Sequence, residues 1–131
     1  GVQRMTEYEF IREEEEAVDG ACCHQPGGCT ALGEEQARAL ADTFTALADP
    51  TRVRLISALA GGEVCVGELA EALGMTVSAV SHQLRLLREL RTVAARRDGR
   101  HMYYTLADEH IARMYAYALE HSLEGRTRED E

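Results

Sequence analysis

Near its C-terminus the chain reads Asp108-x-His110, then ten residues, then His121-x-x-Glu124. Imidazole and carboxylate are zinc-binding groups, and two of each suit a tetrahedral Zn(II) site, with Co(II) accepting the same donors. All four residues fall on one amphipathic segment. His110 and His121 are eleven positions apart, which brings them within roughly 20° of a common helix face. Along the axis that spacing is about 16 Å, whereas zinc holds a nitrogen ligand at about 2 Å. One ion cannot reach both. If the two ends serve one metal, the second half comes from another copy of the helix running antiparallel. The spacing therefore predicts a homodimer with its C-terminal helices at the interface and two sites flanking a two-fold axis. Four protein ligands fill the shell and leave no position for an activated water, so the expectation is a regulatory or structural site and not an enzyme.

Cys22, Cys23 and Cys29, with His24 between them, and the distant Cys65 form a second candidate set. In an intracellular chain these are read as thiols or metal ligands, and adjacent Cys22 and Cys23 make a poor disulfide framework. Thiolates favour soft ions such as Cd(II), Pb(II) or As(III). Cys65 alone reads equally well as a small buried hydrophobe.

The elements that must hold these residues follow from composition and period. The 131 residues are 45% hydrophobic and 28% charged, the balance of a soluble globular domain. No apolar run is long enough to span a membrane and the acidic start is unlike a signal peptide, so the expected compartment is the cytoplasm. The net charge of −9 is unevenly spread. Residues 76–106 hold six arginines against Glu89 and Asp98, a local +4. It is this local charge that a phosphate backbone meets.

Residues 1–33, with the acidic run Glu13–Glu16 and a stretch rich in glycine and cysteine, read as a flexible arm. Residues 34–124 read as the folded domain and 125–131 as a polar tail. Ala37, Leu40, Phe44 and Leu47 give a first helical stripe. Asp49-Pro50 supplies an N-cap and an N1 proline for a second helix that ends at Gly61-Gly62. A short helix from about Gly67 to Leu73 stops at Gly74, and Thr76 caps a fourth with Val80, Leu84, Leu87 and Leu90 on one side. The period then shifts to two strands, 92–97 and 100–106, about an Asp98-Gly99 turn. A last helix covers about Asp108 to Leu123. The predicted class is mainly α with a small β-hairpin wing, the order of a winged helix-turn-helix.

In that arrangement the exposed side of the fourth helix offers Ser78, Ser81, His82, Gln83 and Arg85 to base edges and phosphates of double-stranded DNA. The wing adds Arg96, Arg97 and Arg100 for phosphate or minor-groove contact. Helix and charge alone fit a solvated surface helix just as well. The ordered hairpin and turn tip the balance towards DNA.

At this point the chain resembles the ArsR/SmtB family of metal-responsive repressors. The segments that carry the resemblance are Leu47-Ala-Asp-Pro-Thr-Arg-Val-Arg-Leu, Glu63-Val-Cys-Val-Gly-Glu-Leu-Ala, Ser78-Ala-Val-Ser-His-Gln-Leu-Arg and Gly99-Arg-His-Met-Tyr-Tyr, with the C-terminal Asp-x-His and His-x-x-Glu. Together they cover about residues 34–124. The resemblance implies an apo homodimer on operator DNA that metal binding releases. It implies Ser78, Ser81 and His82 as DNA-facing residues, and Asp108 and His110 of one protomer sharing a site with His121 and Glu124 of the other. It also suggests His121 as a transmitter, one ring nitrogen on metal and the other donating to a backbone carbonyl near Arg91. Some members carry a thiolate site with Cys-Val-Cys on the third helix. Here the second cysteine position is Gly67, with Glu68 beside it. Two inputs therefore stay open: zinc at the C-terminal helix, or Cd(II), Pb(II) or As(III) at the cysteine arm and Cys65.

Overall fold

The computed structural model describes residues 27–130, with side chains as far as 126. The acidic run, Cys22 and Cys23 lie outside the described residues. From Gly33 onward the chain forms one compact unit.

Its first helix, α1, spans Glu34–Ala46, and Glu34 and Glu35 in its first turn complement the positive end of the helix dipole. Helix α2, Pro50–Leu59, starts as its sequence dictates: the Asp49 carboxylate accepts the Arg52 N–H at 3.2 Å, and Pro50 occupies the first turn. A two-residue strand β1, Val64–Cys65, leads directly into α3, Val66–Leu73. Gly74 closes α3 at φ +67°, a left-handed conformation that glycine adopts without steric cost. Helix α4, Val77–Glu89, opens with the Thr76 hydroxyl accepting the Ala79 N–H at 3.1 Å. Strands β2, Val93–Asp98, and β3, His101–Leu106, form the hairpin, and Gly99 turns it at φ +64°. The final helix, α5, spans Glu109–Asp130.

Three departures from the sequence reading stand out. Strand β1 pairs antiparallel with β3, Val64 opposite Tyr104 and Cys65 opposite Tyr103, so the wing is a three-stranded sheet of order β1-β3-β2. Helix α3 begins at Val66, and α5 continues beyond Leu123 through Gly125, its N–H···O=C ladder needing no apolar stripe to propagate.

The core lies under α4. Leu55, Leu59, Leu69, Val80, Leu84 and Leu87 are fully buried, with Val93 and Tyr104 closing the sheet side. The stripe predicted on α4 is the one observed. The stripe on α1 is not buried: Leu40 and Phe44 are exposed, as are Tyr117, Leu119 and Leu123 on α5. Helical period tells which residues share a face, not what covers that face. No helix among the described residues is long and apolar enough to cross a membrane.

Candidate functional site

Burying Val80, Leu84 and Leu87 turns the other side of α4 outward. Ser78, His82 and Arg85 are exposed there, and Ser81 and Gln83 are half-buried at its margin. Gln83 is already engaged, its Oε1 accepting the Arg52 Nε–H at 3.4 Å. Arg52 was not among the residues singled out from sequence.

On the wing the pleat separates neighbours. Arg96 pairs with Tyr103 and Arg97 with Met102, so their side chains leave opposite faces of the sheet. Among the described residues Arg97 and Arg100 have no ion-pair partner. Arg96 differs. Its Nη2 and Nε donate to the two Glu63 carboxylate oxygens at 2.6 and 2.9 Å, and its guanidinium lies 4.8 Å from the Tyr103 ring centroid. Those hydrogen bonds hold the Glu63 carboxyl below its ordinary range and keep the guanidinium charged. Glu63 gives no local signal in the sequence, since 33 positions separate it from Arg96.

The four C-terminal ligand candidates all map onto α5. Asp108 stands in the N-cap position, where Oδ1 accepts the Ile111 N–H at 3.1 Å. That leaves Oδ2 without a partner among the described residues. His110 is 87% exposed, and its Nδ1 lies 3.6 Å from Asp108 Oδ1. His121 and Glu124 are exposed three turns further along. Among the described residues no three His, Cys, Asp or Glu side chains converge closely enough to hold a metal. Asp108 and His110 border a cavity of about 540 Å³, which Asp42 and Thr43 of α1 and Glu89 and Arg91 at the end of α4 also line. Of the cysteines, Cys29 is exposed, and Cys65 is half-buried at the N-cap of α3, making no side-chain cap hydrogen bond.

Residues 49–94 match the model of the bacterial regulatory protein arsR family. The chain is 45% identical over 91 residues to the HTH-type transcriptional regulator NmtR of Mycobacterium tuberculosis, covering 70% of this chain and 76% of that protein. The chain belongs to the ArsR family. With the transcriptional repressor SmtB homolog of a Synechocystis species it shares 53% identity over 87 residues, a match that spans 66% of either chain. The homodimeric winged helix-turn-helix DNA-binding domain of a possible ArsR-family regulator from Mycobacterium bovis superposes with a TM-score of 0.70 at 30% identity, covering 79% of this chain and 95% of that one. This ArsR-family protein is thus a winged-helix transcription regulator and not an enzyme, of the metal-responsive ArsR/SmtB kind. Helix α4 is the second helix of its helix-turn-helix.

Proposed function

We propose that the protein is a metal-released repressor, working in the cytoplasm, that binds operator DNA as an apo homodimer and lets go when Zn(II) binds between its subunits. One observation carries this reading: both ligand pairs lie exposed at separate positions on a single helix whose Tyr117, Leu119 and Leu123 are also exposed. Apolar surface and ligands both call for a second α5. Asp108 and His110 of one protomer, with His121 and Glu124 of the partner subunit, would hold the metal. Two nitrogen and two oxygen donors suit Zn(II), which when bound would supply a cross-link between subunits. Neither of the pairs suffices alone.

DNA is read by Ser78, Ser81, His82, Gln83 and Arg85 of α4, with Arg97 and Arg100 of the wing on phosphate. The dimer that fits DNA differs in recognition-helix separation from the one that fits metal. Each ligand therefore weakens the other by the same coupling free energy, typically about 1–3 kcal/mol. His121 is the transmitter in this reading, reaching from the metal towards a carbonyl near Arg91.

A second reading keeps the DNA module and moves the input to Cys22, Cys23, Cys29 and Cys65. The exposure of the Cys29 thiol favours it. Fluorescence anisotropy on an operator-like palindrome, titrated with Zn(II), Cd(II), Pb(II) and As(III), separates the two. Release by zinc that His110→Ala and His121→Ala abolish, and that cysteine substitutions spare, supports the first. The reverse pattern supports the second, and metal-insensitive binding with all four ions refutes both.

A further inference from the structure

Arg96 sits on β2, one edge of the three-stranded sheet, while Glu63 immediately precedes β1, the other edge. To meet, the arginine crosses the central strand, and it does so over Tyr103. The register places Arg96, Tyr103 and Cys65 side by side in one row across β2, β3 and β1. The guanidinium lies 4.8 Å from the Tyr103 centroid and ends in a two-pronged bridge to Glu63. Asp98 adds a second carboxylate at 3.9 Å. β1 runs without a break into α3, the first helix of the helix-turn-helix. The wing and the DNA-reading unit are thereby strapped together by one side chain.

We infer that Arg96 is a positioning residue which, through Glu63 and Tyr103, fixes the wing against the helix-turn-helix, and that phosphate contact falls to Arg97 and Arg100. Charge argues the same way. Glu63 and Asp98 more than neutralise Arg96, so a phosphate approaching it meets a net negative cluster. Arg97 leaves the other face of the sheet, away from both carboxylates. The fork geometry also makes arginine, and not lysine, the side chain that fits, because only a guanidinium offers two parallel donors to a carboxylate.

The inference rests on the DNA-binding reading for its affinity arm alone. The homodimer is titrated onto a labelled duplex selected from a random-sequence library with wild-type protein, across a series of salt concentrations. Glu63→Gln and Arg96→Ala are each expected to weaken binding about two- to five-fold, the range an exposed ion pair supports, without changing the slope of log affinity against log salt. The swapped pair, Glu63→Arg with Arg96→Glu, is expected to recover most of the loss. Arg97→Ala is expected to reduce the salt slope by about one, as removing a phosphate contact does. Tighter binding by Glu63→Gln, a slope loss of about one in Arg96→Ala, or no change in either variant would overturn the assignment. Amide exchange tests the strap without DNA. Glu63→Gln is expected to speed exchange at Val64, Cys65 and Tyr103 while leaving Leu84 and Leu87 unchanged, and an unaltered wing sinks the idea. If the wild-type protein itself shows no saturable binding, the DNA-binding reading fails and exchange alone decides on the strap.

Discussion

The backbone N–H of Ala107 donates to the carbonyl of Thr92 at 2.9 Å. Thr92 lies just past α4, and Ala107 directly precedes Asp108, the cap of α5. The N–H of Thr92 in turn reaches back to the Leu87 carbonyl at 2.9 Å, and that of Arg91 to the Arg88 carbonyl at 3.0 Å. This is the paired closure of a Schellman motif. The segment that closes α4, the helix proposed to read DNA, is therefore joined to the start of α5, the helix proposed to carry the ligands, by one peptide hydrogen bond between buried Thr92 and the residue before Asp108.

Asp108 caps α5 and, on the proposed reading, also binds the metal, two tasks that chemistry can separate. Asparagine caps a helix about as well as aspartate but lacks its charge. Asp108→Asn should keep the thermal midpoint close to wild type and weaken zinc binding. Asp108→Ala should lose the cap too, at about 1 kcal/mol. Calorimetric melting and zinc titration on the two variants check this. Equal melting of both would show that the cap contributes nothing.

Arg91 is the non-glycine residue with positive φ, +57°, among the described residues. Left-handed backbone costs a residue with a Cβ about 1–2 kcal/mol. Glycine removes that cost while losing about 0.5–1 kcal/mol to its freer unfolded chain. Arg91→Gly should therefore leave urea stability unchanged or slightly raised, whereas β-branched Arg91→Val should lower it by about 1–2 kcal/mol.

The two faces of α4 should respond in opposite ways. Leu84 is fully buried, and truncation to alanine in such a core costs about 2–5 kcal/mol. Ser81→Ala should change stability by less than about 0.5 kcal/mol yet weaken binding to the selected duplex. Denaturation and anisotropy on the same two proteins give the comparison.

Glu63 is expected to titrate below the ordinary glutamate range because Arg96 hydrogen-bonds its charged form. A lowered folded value means that the bridge is at full strength above the unfolded carboxylate range. It is lost as pH falls through the folded value. Carbon-detected NMR titration should show the Glu63 midpoint moving up towards an ordinary glutamate in Arg96→Ala. An unshifted midpoint in the wild type would remove the bridge from solution.

At Gly67 an added Cβ meets nothing within 4 Å, and φ there is not in the left-handed region. Gly67→Cys should thus fold at least as well as wild type, since glycine is a poorer helix former than cysteine. With Cys65 two residues away, it should raise affinity for Cd(II) over Zn(II), read by thiolate–cadmium charge-transfer absorption.

Local chemistry was legible where it acts over a few residues. Asp49-Pro50, Thr76, Gly74 and Asp98-Gly99 each mark the boundary or turn that the structure contains. The inner face of α4 was readable from its period. What escaped depends on distant partners. β1 is two residues long and exists through its pairing with β3 about 40 positions away, too short for alternation to register. The Glu63–Arg96 bridge is long-range in the same sense. Leu40, Phe44 and Leu119 fall on the apolar stripes that the period marks, yet they stay exposed among the described residues.

The placement of Asp108 and His110 at the start of α5, with His121 and Glu124 three turns later, has a genetic corollary. On the proposed pairing, every site in the dimer takes half its donors from each copy. A subunit stripped of all four ligands would spoil both sites of a mixed dimer while still reading DNA, so such an allele should be dominant and keep the operator shut in the presence of metal. Two alleles broken at opposite ends, one at His110 and one at His121, regain one complete site only in their mixed dimer: the purified heterodimer should bind one zinc where each parent homodimer binds none, while in the cell the two homodimers would still hold the operator shut.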